Sequence, residues 1–344
     1  MSRICVCGAF RLWDVPKGGQ EVKTCILTDA LEAKYGKIYR VDTLAKNSRF
    51  LMPFQLVWAM MTCKDILILP AHNGLVVLSK FLTLLNTIFD RRLHYSVIGG
   101  WLQDLLPEHP DVIKALHKFT SIYVETQTMM DALQKLGFTN VCVVPNCKPL
   151  SILKRGQMPK MYTEPYKLVT FSRVTEKKGI GTAADLVMKL NEKYDREVFT
   201  LDIYGPVDPG EDKGWFAEQQ KHFTGAITYK GNVPFNKSVE ILSGYFALLF
   251  PTQYYTEGIP GTIIDSYAAG VPVISARWKS YADVVIEGVT GLGYEFNTNV
   301  DFERILESIV ADPSIVARLK DGCIKKAEDF LPENAIKPLF ERIK

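Results

Sequence analysis

The stretch YTEGIPGTIIDSYAAGVPVISA, Tyr255–Ala276, follows one apolar run (Ala247–Pro251) and closes on another, Pro272–Ala276. Two short apolar runs joined by a polar glycine-bearing loop and a helical stretch, about Thr262–Ala269, predict strand, loop, helix and strand. That succession is the repeating unit of a parallel sheet. In the loop, Glu257-Gly258-Ile259-Pro260-Gly261 leads into the helix. Glycine lets a ligand approach the backbone, and the first amides of a helix are unpaired and offered to an anion. Glu257 and Asp265 are eight residues apart, one in the loop and one a turn into the helix. Both are predicted at the carboxyl edge of the sheet, where open α/β sheets bind ligands. The same residues also describe an ordinary tight turn followed by a solvated acid.

The neighbouring sequence repeats the pattern. Leu168–Val174 ends with Arg173, and Thr175-Glu176-Lys177-Lys178-Gly179 precedes a further helix. Arg173 and Lys178 are thereby predicted at the end of a strand, suited to neutralise a pyrophosphate. Further strand-like runs are Phe199–Tyr204 and Ile227–Gly231, and before residue 150, Ile4–Ala9, Ile38–Val41, Asp65–Pro70, His94–Ile98, Ile122–Glu125 and Val141–Pro145. Segments of helical period separate them, so two parallel sheets with right-handed crossovers are expected. Residues 146–166 lack periodicity and hold Asn146, Pro149, Gly156, Pro159 and Pro165 among lysines, which reads as a linker. The expected division is 1–150, 166–330 and a helical tail, 331–344.

Composition bounds the classes. With 344 residues, 47% hydrophobic and 23% charged, the chain can bury a core without disulfides or metal. A net charge of +3 excludes a dominant nucleic-acid footprint. Residues 1–150 carry 17 basic and 12 acidic side chains, residues 151–344 carry 24 and 26, so the basic excess is confined to the first half. Seven cysteines without a CxxC pair read as reduced, packed thiols, with Cys5 and Cys7 expected on opposite faces of a strand. No apolar run reaches the roughly 18 residues of a spanning helix, and no leader is visible, so a soluble cytoplasmic chain is expected.

Taken together, these motifs resemble the retaining, metal-independent glycosyltransferases of GT-B fold, family four. The carriers are Glu257…Asp265 as the E-x7-E signature within EGIPGTIIDSYAAGVPVI, and Arg173…Lys178-Gly179 as the R-x4-K-G element. LDIYG (Leu201–Gly205) and YKGNV (Tyr229–Val233) stand between them. The resemblance covers about residues 166–295 well and the first half in outline. It implies an α/β protein of two Rossmann-like domains with parallel sheets facing a central cleft, the donor in the second half and the acceptor in the first. Arg173, Lys178 and Glu257 would be catalytic, the cations stabilising the diphosphate leaving group and Glu257 holding the sugar hydroxyls. Gly258, Ile259, Pro260, Gly261 and Thr262 would offer backbone donors, and Asp265 would accept from the ribose. Gly18 and Gly19, in the loop Lys17-Gly18-Gly19-Gln20, resemble the glycine pair that approaches the donor phosphates, and also fit an ordinary turn. The implied reaction transfers a hexose-type sugar from a nucleoside diphosphate, most simply UDP, to a glycan or lipid-linked saccharide in bacterial polysaccharide assembly. No cofactor or metal is implied.

Two departures are plain. The second acid is Asp265 and not Glu, one methylene shorter. Where many relatives carry a histidine, HYSVIGGW has Gly99 and Gly100, leaving His72, in LPAHNG, as the candidate sugar contact of the first half. A lone histidine in such a loop also fits a structural role. There is no DxD, GxxxxGK[ST], GxSxG or HExxH. Gly179-Ile180-Gly181-Thr182-Ala183-Ala184 fits G-x-G-x-x-A, but its first glycine follows a polar loop instead of closing on a strand. The apolar segment from Lys80 to Phe89, flanked by Arg91 and Arg92, reads either as a core helix or as a contact with an anionic membrane. A nucleotide-sugar epimerase of the same fold and an inactive nucleotide-sugar-binding subunit remain alternatives.

Overall fold

The structure, a computed structural model, describes residues 3–10, 18–157, 162–207 and 210–343. They form two units, Met1–Pro149 with Phe330–Lys344, and Leu150–Asp329. In the first, the order is β1 (Ile4–Gly8), α1 (Gly19–Tyr35), β2 (Tyr39–Asp42), α2 (Ser48–Thr62), β3 (Asp65–Ile68) and α3 (His72–Phe89). It continues β4 (Arg92–Ser96), α4 (Leu102–Leu105), α5 (Pro110–Leu116), β5 (Ser121–Val124), α6 (Gln127–Lys135) and β6 (Val141–Val143). All six strands pair in parallel, in the order β2-β1-β3-β4-β5-β6.

The order reverses between β1 and β3, so right-handed crossovers place α1 on one face and α2, α3, α5 and α6 on the other. Core packing agrees: Leu56, Leu75, Leu82 and Leu133 share one cluster, while Leu27 and Leu31 share another. Cys5 and Cys7 lie together in the first of these clusters, correcting the expectation that they face apart. Strand residues two apart share a face, and Ile4 and Val6 take the other. Burial pushes the Cys7 thiol up to about 12.

In the second unit, β7 (Tyr166–Phe171), α7 (Ile180–Lys193), β8 (Phe199–Tyr204), α8 (Glu211–Gln220), β9 (Ile227–Gly231) and α9 (Ser238–Leu242) come first. Then follow β10 (Ala247–Phe250), α10 (Gly261–Ala268), β11 (Val273–Ala276), α11 (Tyr281–Val284), β12 (Gly291–Tyr294), α12 (Asn299–Ala311) and α13 (Ser314–Ala327). The parallel order is β12-β11-β10-β7-β8-β9. Its reversal falls between β7 and β10, so the loops after these two strands diverge to opposite faces and open a crevice between them.

The segment read as a linker packs on the second unit: Leu153 N donates to Ala268 O at 2.8 Å, and the Tyr162 and Phe246 rings lie 5.2 Å apart. Pro159 and Lys160 of that segment lie outside the described residues. The tail, α14 (Pro332–Ala335) and α15 (Lys337–Arg342), belongs to the first unit. Ile336 and Leu339 join the α1 cluster, and Tyr35 Oη donates to Ile343 O at 2.8 Å.

A polar cluster crosses the middle of the first sheet. Arg92 grips the buried Asp65 with two hydrogen bonds of 2.7 and 2.6 Å, and His94 Nε2 lies 3.1 Å from Asp65 Oδ1. Tyr123 Oη lies 3.0 Å from His94 Nδ1. Burial holds the His94 imidazole below its ordinary value of 6.5, although Asp65 opposes that shift. The unfolded chain therefore takes up a proton near pH 6.5 that the folded chain refuses. Stability from this group is complete above that value and is lost as pH falls below it. Thermal melts across pH 7.5 to 5 (on the order of this titration window) should show the midpoint dropping on the acid side. His94→Gln should flatten that drop.

Candidate functional site

Strand geometry at the β7/β10 crevice is set by glycine. Gly179, at φ +69, starts α7 where an added Cβ would lie 1.9 Å from Pro251 O. Gly205, at φ +135, sits where a Cβ would lie 1.7 Å from Ser172 O. Only a residue without a side chain fits either place, so the loops after β7, β8 and β10 close against one another. Gln253 N donates to Lys177 O at 2.8 Å across the same seam.

On that seam Lys178 meets Glu257: its Nζ donates to Glu257 Oε1. The same carboxylate oxygen accepts from Thr252 Oγ1 at 3.0 Å, and Thr252 Oγ1 accepts from Tyr254 N at 3.1 Å. The Lys178 ammonium lies 5.2 Å from the ring centres of both Phe250 and Tyr254. Lys178 is 14% and Glu257 16% exposed, so the pair is fixed yet reachable from outside. Arg173 is exposed on the same β7–α7 loop, after β7 ends.

Helix α10 begins beside Glu257. Ile263 and Ile264 amides return to Pro260 O at 3.0 and 3.4 Å, which leaves those of Gly261 and Thr262 at the open end of the helix. Thr262 Oγ1 is buried without a hydrogen-bond partner, as is Thr175 Oγ1 in the β7–α7 loop. Buried hydroxyls are normally satisfied, so two orphans at one crevice suit a ligand with acceptor oxygens. Gly258 and Ile259 are buried in the loop; Asp265, on α10, is only 3% exposed and presents far less surface than Glu257. A cavity of about 280 Å³ adjoins Thr252, bounded also by Thr182, Gln253, Tyr294 and Asn297.

The first unit has its own crevice, between β1 and β3. Gly18 caps α1 and Gly19 opens it, and a Cβ on either would meet nothing within 4 Å; Lys17 lies outside the described residues. His72 opens α3 and stacks on Trp101 with ring centres 3.9 Å apart. Beneath the Gly99–Gly100 turn lies a pair that the sequence did not suggest. Lys23 Nζ donates to Glu125 Oε1 at 2.7 Å, with exposures of 2% and 3%, and to Val97 O at 2.9 Å. Gly99 N donates to the same Glu125 oxygen at 3.3 Å, at φ +83. Lys23 and Glu125 are 102 residues apart, and no motif links them.

The sequence profile of the family described as glycosyl transferases group 1 matches residues 157–329, half of the chain. The chain belongs to that family. The match spans the β7/β10 crevice with Arg173, Lys178 and Glu257. Glycogen synthase of Mycobacterium tuberculosis is 20% identical over 231 residues, 64% of this chain and 53% of the synthase. The chain thus spans about half the length of the synthases it matches. Among solved structures, Anabaena HepE in complex with UDP-glucose superposes with a TM-score of 0.76 at 14% identity, covering 98% of both chains. Sucrose-phosphate synthase from Thermosynechococcus elongatus gives 0.76 at 15% identity, over 98% of this chain and 97% of that one. These likenesses show the fold, the α/β GT-B fold of two Rossmann-like domains.

Two substitutions separate architecture from ligand contact. Gly179→Ala should cost at least about 3 kcal/mol, from left-handed strain plus overlap with Pro251. Thr262→Val loses no hydrogen bond and should leave stability within about 0.5 kcal/mol of wild type. Denaturant unfolding checks both.

Proposed function

We propose that the chain transfers a hexose-type sugar, with retention, from a nucleoside diphosphate donor, UDP in the simplest case, to a glycan or lipid-linked saccharide. The observation that carries the reading is the convergence of Lys178, Glu257 and the open end of α10 at the β7/β10 crevice. A diphosphate needs what those groups offer: fixed cations and unpaired amides that already point at the developing charge. Arg173 and Lys178 take the leaving diphosphate, and Glu257 accepts from the sugar hydroxyls. Thr262 and the Gly261 amide meet phosphate oxygens. Asp265 accepts from the ribose. Gly18 and Gly19 approach the phosphates from the first domain, and His72 with the Gly99–Gly100 turn contacts sugar there.

In the transfer, the bond from the anomeric carbon to the diphosphate oxygen breaks on the face where the acceptor oxygen bonds. The acceptor proton passes to the departing diphosphate oxygen. Two side-chain cations fill the electrophilic role, so the reaction proceeds without a resident metal. That UDP-glucose is bound by HepE supports the choice of donor.

Lys178→Ala and Glu257→Ala should each lower transfer by about a hundredfold or more. Both variants should keep their fold, and excess chelator should leave the wild-type rate unchanged. Thr262→Val should weaken UDP binding by about five- to tenfold, the worth of one hydrogen bond. Calorimetry with UDP and UDP-sugars, joined to product analysis over an acceptor panel, tests the reading. Unaltered turnover in both Ala variants overturns the site, and absence of any nucleotide-induced stabilisation overturns the function.

A further inference from the structure

Helices α2 and α3 lie side by side over the same face of the first sheet, and large apolar side chains stand on the outer side of each. On α2, Phe50, Phe54, Trp58 and Met61 fall at helical spacing and are each more than half exposed. On α3, Val77, Leu84 and Ile88 do the same. Isolated exposed apolar residues are ordinary, but seven large ones on two adjoining helices, broken on α3 by the Lys80–Asp111 pair, are of the kind that marks an interaction surface.

Charge identifies the occupant. Neither α2 nor α3 contains an acidic residue. Lys46 and Lys64 are exposed just beyond the two ends of α2. Arg91 Nε donates to Met60 O at 2.7 Å, which puts its guanidinium at the last turn of α2. Asp90 ends α3, and Asp111 is paired with Lys80 at 2.7 Å. Beside Trp58 and Thr62, a cavity of about 480 Å³ is lined by Arg3, Lys37, Tyr35 and Tyr39. It joins cationic and aromatic groups at the edge of the apolar patch.

The geometry points to a docking surface for an anionic phospholipid bilayer. The apolar side chains of α2 and α3 enter the acyl boundary, Trp58 sits at headgroup depth, and the basic rim with the Arg3–Lys37 cavity meets lipid phosphates. A twofold pairing of two copies through this face is disfavoured, because it sets one basic rim against another. The surface is distinct from the β7/β10 crevice, and its function does not depend on the transfer chemistry.

Sedimentation with vesicles of phosphatidylcholine, alone and mixed with phosphatidylglycerol, tests it. The full chain should pellet with the mixed vesicles at low salt and be released as salt rises. Phe54→Ser with Trp58→Ser should lower the bound-to-free ratio by about tenfold or more. Lys46→Glu with Lys64→Glu should abolish the preference for phosphatidylglycerol. All these positions are exposed, so melting temperature and the UDP-induced thermal shift should stay at wild-type values, separating this surface from the nucleotide site. Wild-type chain remaining in the supernatant with both vesicles overturns the proposal. Pelleting that survives the Phe54 and Trp58 changes also overturns it, as does a solution dimer that those changes dissolve.

Discussion

Gly179 touches the backbone of Pro251 so closely that no Cβ fits between them. The geometry of the β7/β10 crevice depends on that contact. Reversal of strand order sends the loops after β7 and β10 apart, and Gly179 lets the first approach the second at Pro251, the residue that follows β10. A side chain at residue 179 would hold them apart, and Lys178, its neighbour, would no longer reach Glu257. The glycine therefore acts on the site through distance, with no contribution of its own to charge or hydrogen bonding.

The Lys178–Glu257 pair has a poise that follows from partial burial. Taken fully out of water, such a pair would carry a large desolvation cost and would be hard to open. Fully solvated, it would contribute little and would not fix either side chain. At 14% and 16% exposure it is ordered, and Thr252 holds the carboxylate from a second side. On the proposed reading, an incoming diphosphate would share the ammonium without stranding an acid in the interior, since Glu257 keeps the Thr252 hydroxyl. Preorganisation of this kind is what makes a fixed cation worth more than a mobile one.

Much of the frame was legible in the sequence, because a strand buried on both faces writes itself as a short apolar run and the alternation of runs names a parallel sheet. The crevice was legible because Glu257, Arg173 and Lys178 each follow such a run. What escaped was set by distance in space. Lys23 and Glu125 stand 102 residues apart, and each alone reads as a solvated charge. The outer side of α2 escaped for another reason: Phe54, Trp58 and Met61 look like core residues until neighbours are counted, since periodicity gives a face but not what covers it. Proline and glycine mark residues 146–166 as irregular backbone but not what it packs on, which at Leu153 is the second unit, through Ala268 O. Cys5 and Cys7 were simply misassigned, since a two-residue spacing returns to the same side of a strand.

The two domains are both parallel α/β sheets, but they differ in strand order and in where they put their charge. Each sheet reverses its order once, and each reversal opens a crevice. In the first domain the ion pair beneath the Gly99–Gly100 turn is 2% and 3% exposed, and it is already spent on Val97 O and Gly99 N. A cation in that state shapes a loop but cannot be offered to a ligand, because withdrawing it would leave Glu125 charged and buried. In the second domain Lys178 keeps 14% of its side chain exposed at the crevice, with an exposed arginine on the same loop. Among the described residues at the first crevice, Lys23 is therefore not offered to an anion. Exposed Lys46 and Lys64, among the described residues, stand just beyond the two ends of α2, and exposed Lys80 lies on α3.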